Sequence, residues 1–191
     1  MGSFLIKKIL VVVCLLCSLL PLKAQTVPAR LPGNLNWQAI ETEFYRQLNG
    51  LRVQKKLSPL TPNDPVLDTA AFDQAAYMQK KHVVTHDQNG RKKATPFKRV
   101  QFYNGHFTIV GENCIMIFLN TAMNTKYSKK PITISSEEEV ATALFLGWKN
   151  SPKHYKNMLT KEYQLAGLGF AFDPKTNQLY SAQVFGGNYT R

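Results

Sequence analysis

The sequence runs to 191 residues, with 24 Lys and Arg against 12 Asp and Glu and a formal charge of +12. A chain of that length is sized for one domain. Its basic residues come as pairs and one triplet (Lys55-Lys56, Lys80-Lys81, Lys129-Lys130, Arg91-Lys92-Lys93) without interleaved aromatics, which excludes a nucleic-acid-binding motif and leaves a solvated basic surface or one that meets anionic envelope polymers or lipids.

Lys7 and Lys8 precede an apolar run from Ile9 to Leu20, followed by Pro21 and Ala24. This is the pattern of a secretory signal peptide over residues 1–24, cut near Ala24–Gln25. The run is shorter than the ~20 residues of a spanning helix, and with no second such run the mature form is expected to carry no transmembrane segment. Leu15 and Leu16 before Cys17 lack the small residues that lipid modification prefers. Cleavage removes Lys7, Lys8 and Lys23 and lowers the charge to +9; it also removes Cys14 and Cys17. Cys114 then stands alone, so the expected product is a secreted, extracellular or periplasmic, bacterial-type monomer whose core must hold it without an intrachain disulfide. Asn188-Tyr189-Thr190 matches a glycosylation acceptor, which matters only in a eukaryotic host.

Residues 25–35, with two prolines and a glycine, read as an extended leader to a domain over 36–191. After Asn36, the residues Trp37, Ile40, Phe44, Leu48 and Leu51 recur at helical spacing. Asp64-Pro65 opens a second helix, with Leu67, Ala71, Ala75 and Met78 on a stripe that continues to His82 and a helix end at His86. Residues 87–107 read as a polar surface loop. "FTIVGENCIMIF" predicts a strand interrupted at Gly111-Glu112-Asn113, and 119–134 an irregular stretch. Ser136 and Glu139 form a capping box that starts a third helix, and Ser151-Pro152 starts a fourth. "LAGLGFAF" and "QLYSAQVFG" around "DPKTN" close the chain as a hairpin. The sum is an α+β layered domain.

Three polar residues sit badly in a bland core. His86 follows the second helix, Glu112 interrupts an apolar strand where an unpaired carboxylate is costly, and His154 lies in the first turn of the last helix, where the dipole keeps an imidazole neutral. Each has a plain alternative: a helix-end histidine, a bulge residue facing solvent, and ordinary capping territory. Together they are the ligand types of a Zn²⁺ site. His82 and His86 form a rival H-x-x-x-H pair, but Val83 stands where a zincin carries its glutamate. Cys114 has no activating neighbour visible in the sequence.

Five motifs in order give the chain a likeness. Asn49-Gly50-Leu51-Arg52 before "KKLSPL", "AAYMQKKHVVTHDQNG", "TPFKR", "GEN" and "GWKNSPKHYKNML" resemble the CAP superfamily from about Ile40 to Phe185, in particular its bacterial single-domain, SCP-like extracellular branch. The resemblance implies a three-layer α-β-α sandwich with a central antiparallel sheet, and a cleft of two His and two acidic residues. Carried over, the cleft is His86, Glu112 and His154. The family's second Glu falls on Ala143; Glu139, one turn earlier and roughly 6 Å back along the axis, either substitutes for it or stays the capping-box partner of Ser136 and leaves a three-residue cleft. The function implied is a secreted binding or interaction module for a lipid, envelope polymer or protein, with an optional Zn²⁺ in its cleft. The alternative is a metal-assisted, peptidase-like hydrolase with Glu112 as base and His86 and His154 as ligands.

Overall fold

The computed structural model describes residues 36–125 and 128–189. The signal peptide and leader expected over 1–35 lie outside these residues, as does Thr190 of the glycosylation acceptor. In chain order the described elements are α1 (Trp37–Gln54), α2 (Pro65–Lys81), α3 (Pro96–Phe102), β1 (Phe107–Phe118), β2 (Met123–Thr125), β3 (Ser128–Ile132), α4 (Glu137–Lys149), α5 (Pro152–Met158), β4 (Leu165–Asp173) and β5 (Gln178–Tyr189). β1, β5 and β4 form an antiparallel sheet in that order, so β1 and β4 are its edges. The two faces carry separate cores. Phe44, Leu48, Leu144 and Trp148 of α1 and α4 pack on Leu168, Phe170 and Phe172 of β4. Leu67, Ala71 and Met78 of α2 and Val100 of α3 pack on Cys114, Ala182 and Val184. This is the expected α-β-α sandwich.

The predicted helix starts hold. Asn36 and Asp64 accept backbone N–H groups of the turns they open, and Ser136 and Glu139 complete a reciprocal capping box. Ser151 stands at the N-cap of α5 but makes no side-chain cap, so Pro152 starts that helix by its fixed φ. Asn49 and Arg52 are structural. Asn49 exchanges two hydrogen bonds with the backbone of Leu60, and the fully buried Arg52 donates to the carbonyls of Ser58, Met158, Thr160 and Tyr163.

Five expectations need correction. α2 does not reach His86: His82 adopts the left-handed conformation at φ 52° and caps the helix after Lys81, with Val83 N–H closing on the Met78 carbonyl. The stripe ends at Met78, because His82 is exposed. The loop over 87–107 contains α3, started by Thr95 and Pro96. The strand is not interrupted, since β1 pairs with β5 through Gly111, Glu112 and Asn113, with Glu112 opposite Val184. Finally, 119–134 holds the β2–β3 pair.

In the hairpin, the small residues that alternate with Leu168 and Phe170 have a packing role. Gly167 and Gly169 face α2, whose backbone lies where their side chains would be. α2 can therefore rest directly on β4.

Candidate functional site

The site forms beside edge strand β1, where three segments meet. Glu112 points to the α2–α3 face of the sheet, and Asn113, next in the strand, to the α5 face. Glu112 is buried and paired: its Oε2 accepts from Arg99 Nη2 at 2.5 Å, and the two side chains are 1% and 0% exposed. Its Oε1 accepts from His86 Nδ1 at 3.0 Å and from the Cys114 thiol at 3.3 Å. The carboxylate is thus stabilised by one buried cation and two further donors, which answers its desolvation.

The loop bearing His86 is pinned from below. Buried Gln74 donates to the Thr85 carbonyl, and buried Gln88 donates to Asp73 and Gln74. Arg99 Nη1 donates to the carbonyls of His86 at 3.0 Å and Lys93 at 3.2 Å, so one guanidinium holds both the loop and the glutamate. On the other side, Asn113 Nδ2 donates to the His154 carbonyl at 3.2 Å, and Asn157 Nδ2 donates to Asn113 Oδ1 and to the Glu112 carbonyl. The "GEN" motif therefore sends Glu112 to one layer and Asn113 to the other. The outcome is that the His86 and His154 rings meet edge to face, with centroids 6.4 Å apart and planes inclined at 67°.

The two imidazoles are shifted in opposite directions. His86 is pushed above the ordinary value of 6.5 by its hydrogen bond to Glu112, working against burial. His154 is pushed below 6.5 by burial first and by His86 second. The downward shift agrees in direction with the neutral imidazole expected of His154, but its causes are desolvation and a like charge rather than the dipole of the seven-residue α5. His86 thus stabilises the fold at pH below its unfolded pKa and loses that contribution as pH rises through its higher folded value. His154 acts oppositely, costing stability as pH falls below about 6.5. Proton titration by NMR should place His86 above and His154 below 6.5, and His86→Ala should raise His154 part of the way. A His154 titration unmoved by that substitution would show that the rings do not interact.

The other expected ligands lie elsewhere. Glu139 is exposed, and its Oε2 accepts from Ser135 N, Ser135 Oγ and Ser136 N; it is occupied in the capping box rather than brought to the histidines. His82 faces Asp173, its Nδ1 3.7 Å from Oδ2, so the H-x-x-x-H pair does not form. Among the described residues, the group of three possible ligands within 4.8 Å of one another is His86, Glu112 and Cys114. Cys114 is buried and its thiol is pushed well above the ordinary range by desolvation and by the Glu112 charge. Arg99 was the residue missed. The signal for it was general: a carboxylate inside an apolar strand requires a cation, and "TPFKR" supplies one on a helix opened by Thr-Pro.

The residues present suit a divalent metal in one way better than another. An ion among His86 Nδ1, Glu112 and Cys114 would displace two hydrogens beside the Arg99 charge. An ion on the outer side uses the second nitrogen of His86, whose first is oriented by Glu112 as the outer carboxylate of a metal-bound histidine commonly does, together with neutral His154. Two histidines on one tetrahedral zinc have centroids about 5 Å apart, against 6.4 Å between these rings, so to share an ion the half-exposed His86 ring would have to approach by about an ångström and turn its second nitrogen toward His154.

Residues 45–189 match the model of the Cysteine-rich secretory protein family, CAP. The chain belongs to the CAP family. In this member a single cysteine, Cys114, lies within the matched segment. A search of curated proteins finds no match. Among solved structures the chain is similar to an outer surface protein of Borrelia burgdorferi, with a TM-score of 0.62 at 18% identity over 81% of this chain and 96% of that one. It is similar too to an extracellular SCP-domain protein of Bacillus anthracis, with a TM-score of 0.55 at 20% identity over 82% of this chain and 45% of that one. NaASP2, solved with Zn²⁺, gives a TM-score of 0.52 at 15% identity over 82% and 84% of the two chains. These likenesses show the fold. No described helix is long and apolar enough to cross a membrane.

Proposed function

We propose that this CAP domain is an exported binding module whose cleft holds a divalent metal, best Zn²⁺, between His86 and His154. Export rests on the charged, apolar and small-residue pattern of 1–24 and on the extracellular or outer-surface character of structural relatives. The zinc in the NaASP2 structure is consistent with metal in this fold. The observation that carries the reading is the state of Glu112. Both its oxygens are engaged by Arg99, His86 and Cys114. A general base must reach a water or substrate proton with a free lone pair, whereas a carboxylate fixed in this way orients a ligand histidine. The geometry therefore favours binding over the hydrolase alternative. The net basic charge, +9 after processing, favours an anionic partner such as an envelope polymer.

The test is thermal unfolding with Zn²⁺. At a free concentration 100 times the dissociation constant, linkage contributes about 2.7 kcal/mol, a shift of several degrees. His154→Ala and the His86→Ala/His154→Ala pair should abolish the gain, and Cys114→Ser and Glu139→Gln should keep it. Binding should weaken below about pH 6 as the imidazoles protonate. A gain that survives the double histidine substitution, or that disappears in Cys114→Ser, overturns the outer site.

A further inference from the structure

The loop between α2 and α3 carries an Asn89-Gly90 pair that takes no part in the cleft. In Asn-Gly the asparagine side chain is open to attack by the backbone nitrogen of the next residue, which closes a five-membered ring on the amide carbon. Glycine, without a Cβ, hinders that approach least. The chain contains three such pairs, Asn49-Gly50, Asn89-Gly90 and Asn104-Gly105. Their local chemistry is the same, so only the fold can separate them.

Two of the three are locked. Gly50 lies inside α1, where a backbone N–H is committed to the carbonyl four residues back. The Asn49 side chain is held at both ends as well: its Nδ2 donates to the Leu60 carbonyl at 3.0 Å and its Oδ1 accepts from Leu60 N at 2.8 Å. Gly105 is buried, and its N–H donates to the Val100 carbonyl at 2.9 Å. Asn150 is followed by the small Ser151, whose N–H is likewise taken, by the Trp148 carbonyl at 3.1 Å.

Asn89-Gly90 is the exception. Both residues are exposed, and among the described residues neither the Gly90 N–H nor the Asn89 side chain makes a hydrogen bond. Gly90 sits at φ 114°, where other residues are strained, and nothing lies within 4 Å of the place a Cβ would take. The residues beside it are fixed. Gln88 N–H donates to the Ala94 carbonyl at 3.1 Å, and Asn89 N–H to the Tyr77 hydroxyl at 3.1 Å. The reacting groups therefore stand free on a held base.

We propose that Asn89 is a self-modification site, converted without an enzyme to aspartate and isoaspartate. The Gly90 nitrogen gives up its proton and attacks Asn89 Cγ. The Cγ–Nδ2 bond breaks, and Nδ2 takes up a proton and leaves as ammonia. Water then opens the cyclic imide at one of its two carbonyls. Opening at Cγ gives aspartate with the original backbone; opening at the main-chain carbonyl gives isoaspartate, whose chain runs through Cγ. Either product replaces a neutral amide by a carboxylate just before the basic triplet Arg91-Lys92-Lys93. Isoaspartate also adds one carbon to the main chain of the loop that Arg99 holds at the His86 and Lys93 carbonyls.

The experiment is incubation of the purified, folded protein at pH 8 with tryptic peptide mapping over time. Trypsin places the three pairs in separate peptides, 47–52, 82–91 and 100–126. Peptide 82–91 should gain one mass unit and split into two products of equal mass, while Asn49 and Asn104 stay unchanged. In guanidinium chloride, where the fold is lost, all three should convert at rates within a few-fold of one another. Asn89→Gln should leave peptide 82–91 unconverted over the same period, because a glutamine must close a six-membered ring. Gly90→Ala should slow conversion several-fold in the unfolded chain, where backbone strain plays no part. Asn49 or Asn104 reacting as fast as Asn89 in the folded protein overturns the proposal. So does an Asn89 that stays intact in the folded protein after all three have converted in guanidinium chloride.

Discussion

Arg99→Met should destabilise the fold by about 3–5 kcal/mol, because it leaves the Glu112 carboxylate buried without its cation. Both side chains are essentially inaccessible to water, so no solvent can replace the guanidinium. The same substitution removes the donors to the His86 and Lys93 carbonyls and frees the loop that carries His86. Glu112→Met should be damaging for the converse reason. The double variant should be closer to wild type than the two single losses add to, since two well-packed apolar side chains of similar volume often replace a buried pair with little loss. Urea unfolding of the four proteins measures the coupling. Additive losses would show that Arg99 and Glu112 do not act as a pair.

The second large effect comes from a single methyl group. A Cβ at Gly169 would overlap the backbone of Ala71 and Phe72, and one at Gly167 the backbone of Leu67 and Asp68, far inside van der Waals contact. These are main-chain atoms of α2, so no side chain can turn away and the helix must lift from β4. Gly169→Ala should therefore cost about 3 kcal/mol, at the upper end for overpacking. Gly50 of α1 is the control, because nothing lies within 4 Å of its would-be Cβ. There the same change should stabilise by about 0.5–1 kcal/mol through helix propensity. Opposite signs for the two substitutions are the expected calorimetric result; a neutral Gly169→Ala would mean that α2 does not rest directly on the strand.

The sequence exposed those features that a short stretch specifies by itself. α1, the start of α2, the Ser136–Glu139 box and the closing hairpin each carry their own period or cap. α3 was hidden because seven residues bury only Arg99 and Val100, too few for a stripe to show. Its start at Thr95-Pro96 has the same chemistry as Ser151-Pro152, so the signal is present in the sequence. Among the described residues β2 and β3 pair only with each other, and they bear no apolar pattern that marks them. Glu112 declared itself as a charge in an apolar strand. Its partner could not be read from β1, because Arg99 arrives from another layer. For His154 the sequence shows only the local helix dipole, whereas the burial and the His86 ring that lower its pKa are tertiary. Glu139 shows the reverse case, since the capping role that engages its carboxylate is local and legible in the sequence.

Anomalous diffraction from crystals soaked in Zn²⁺ tests the cleft most directly. The expected peak lies within about 2.0–2.1 Å of one imidazole nitrogen each of His86 and His154, with His86 Nδ1 still on Glu112 and the Arg99–Glu112 pair intact. A peak on Cys114 and Glu112 with Arg99 displaced, or no peak between the two rings, would contradict it.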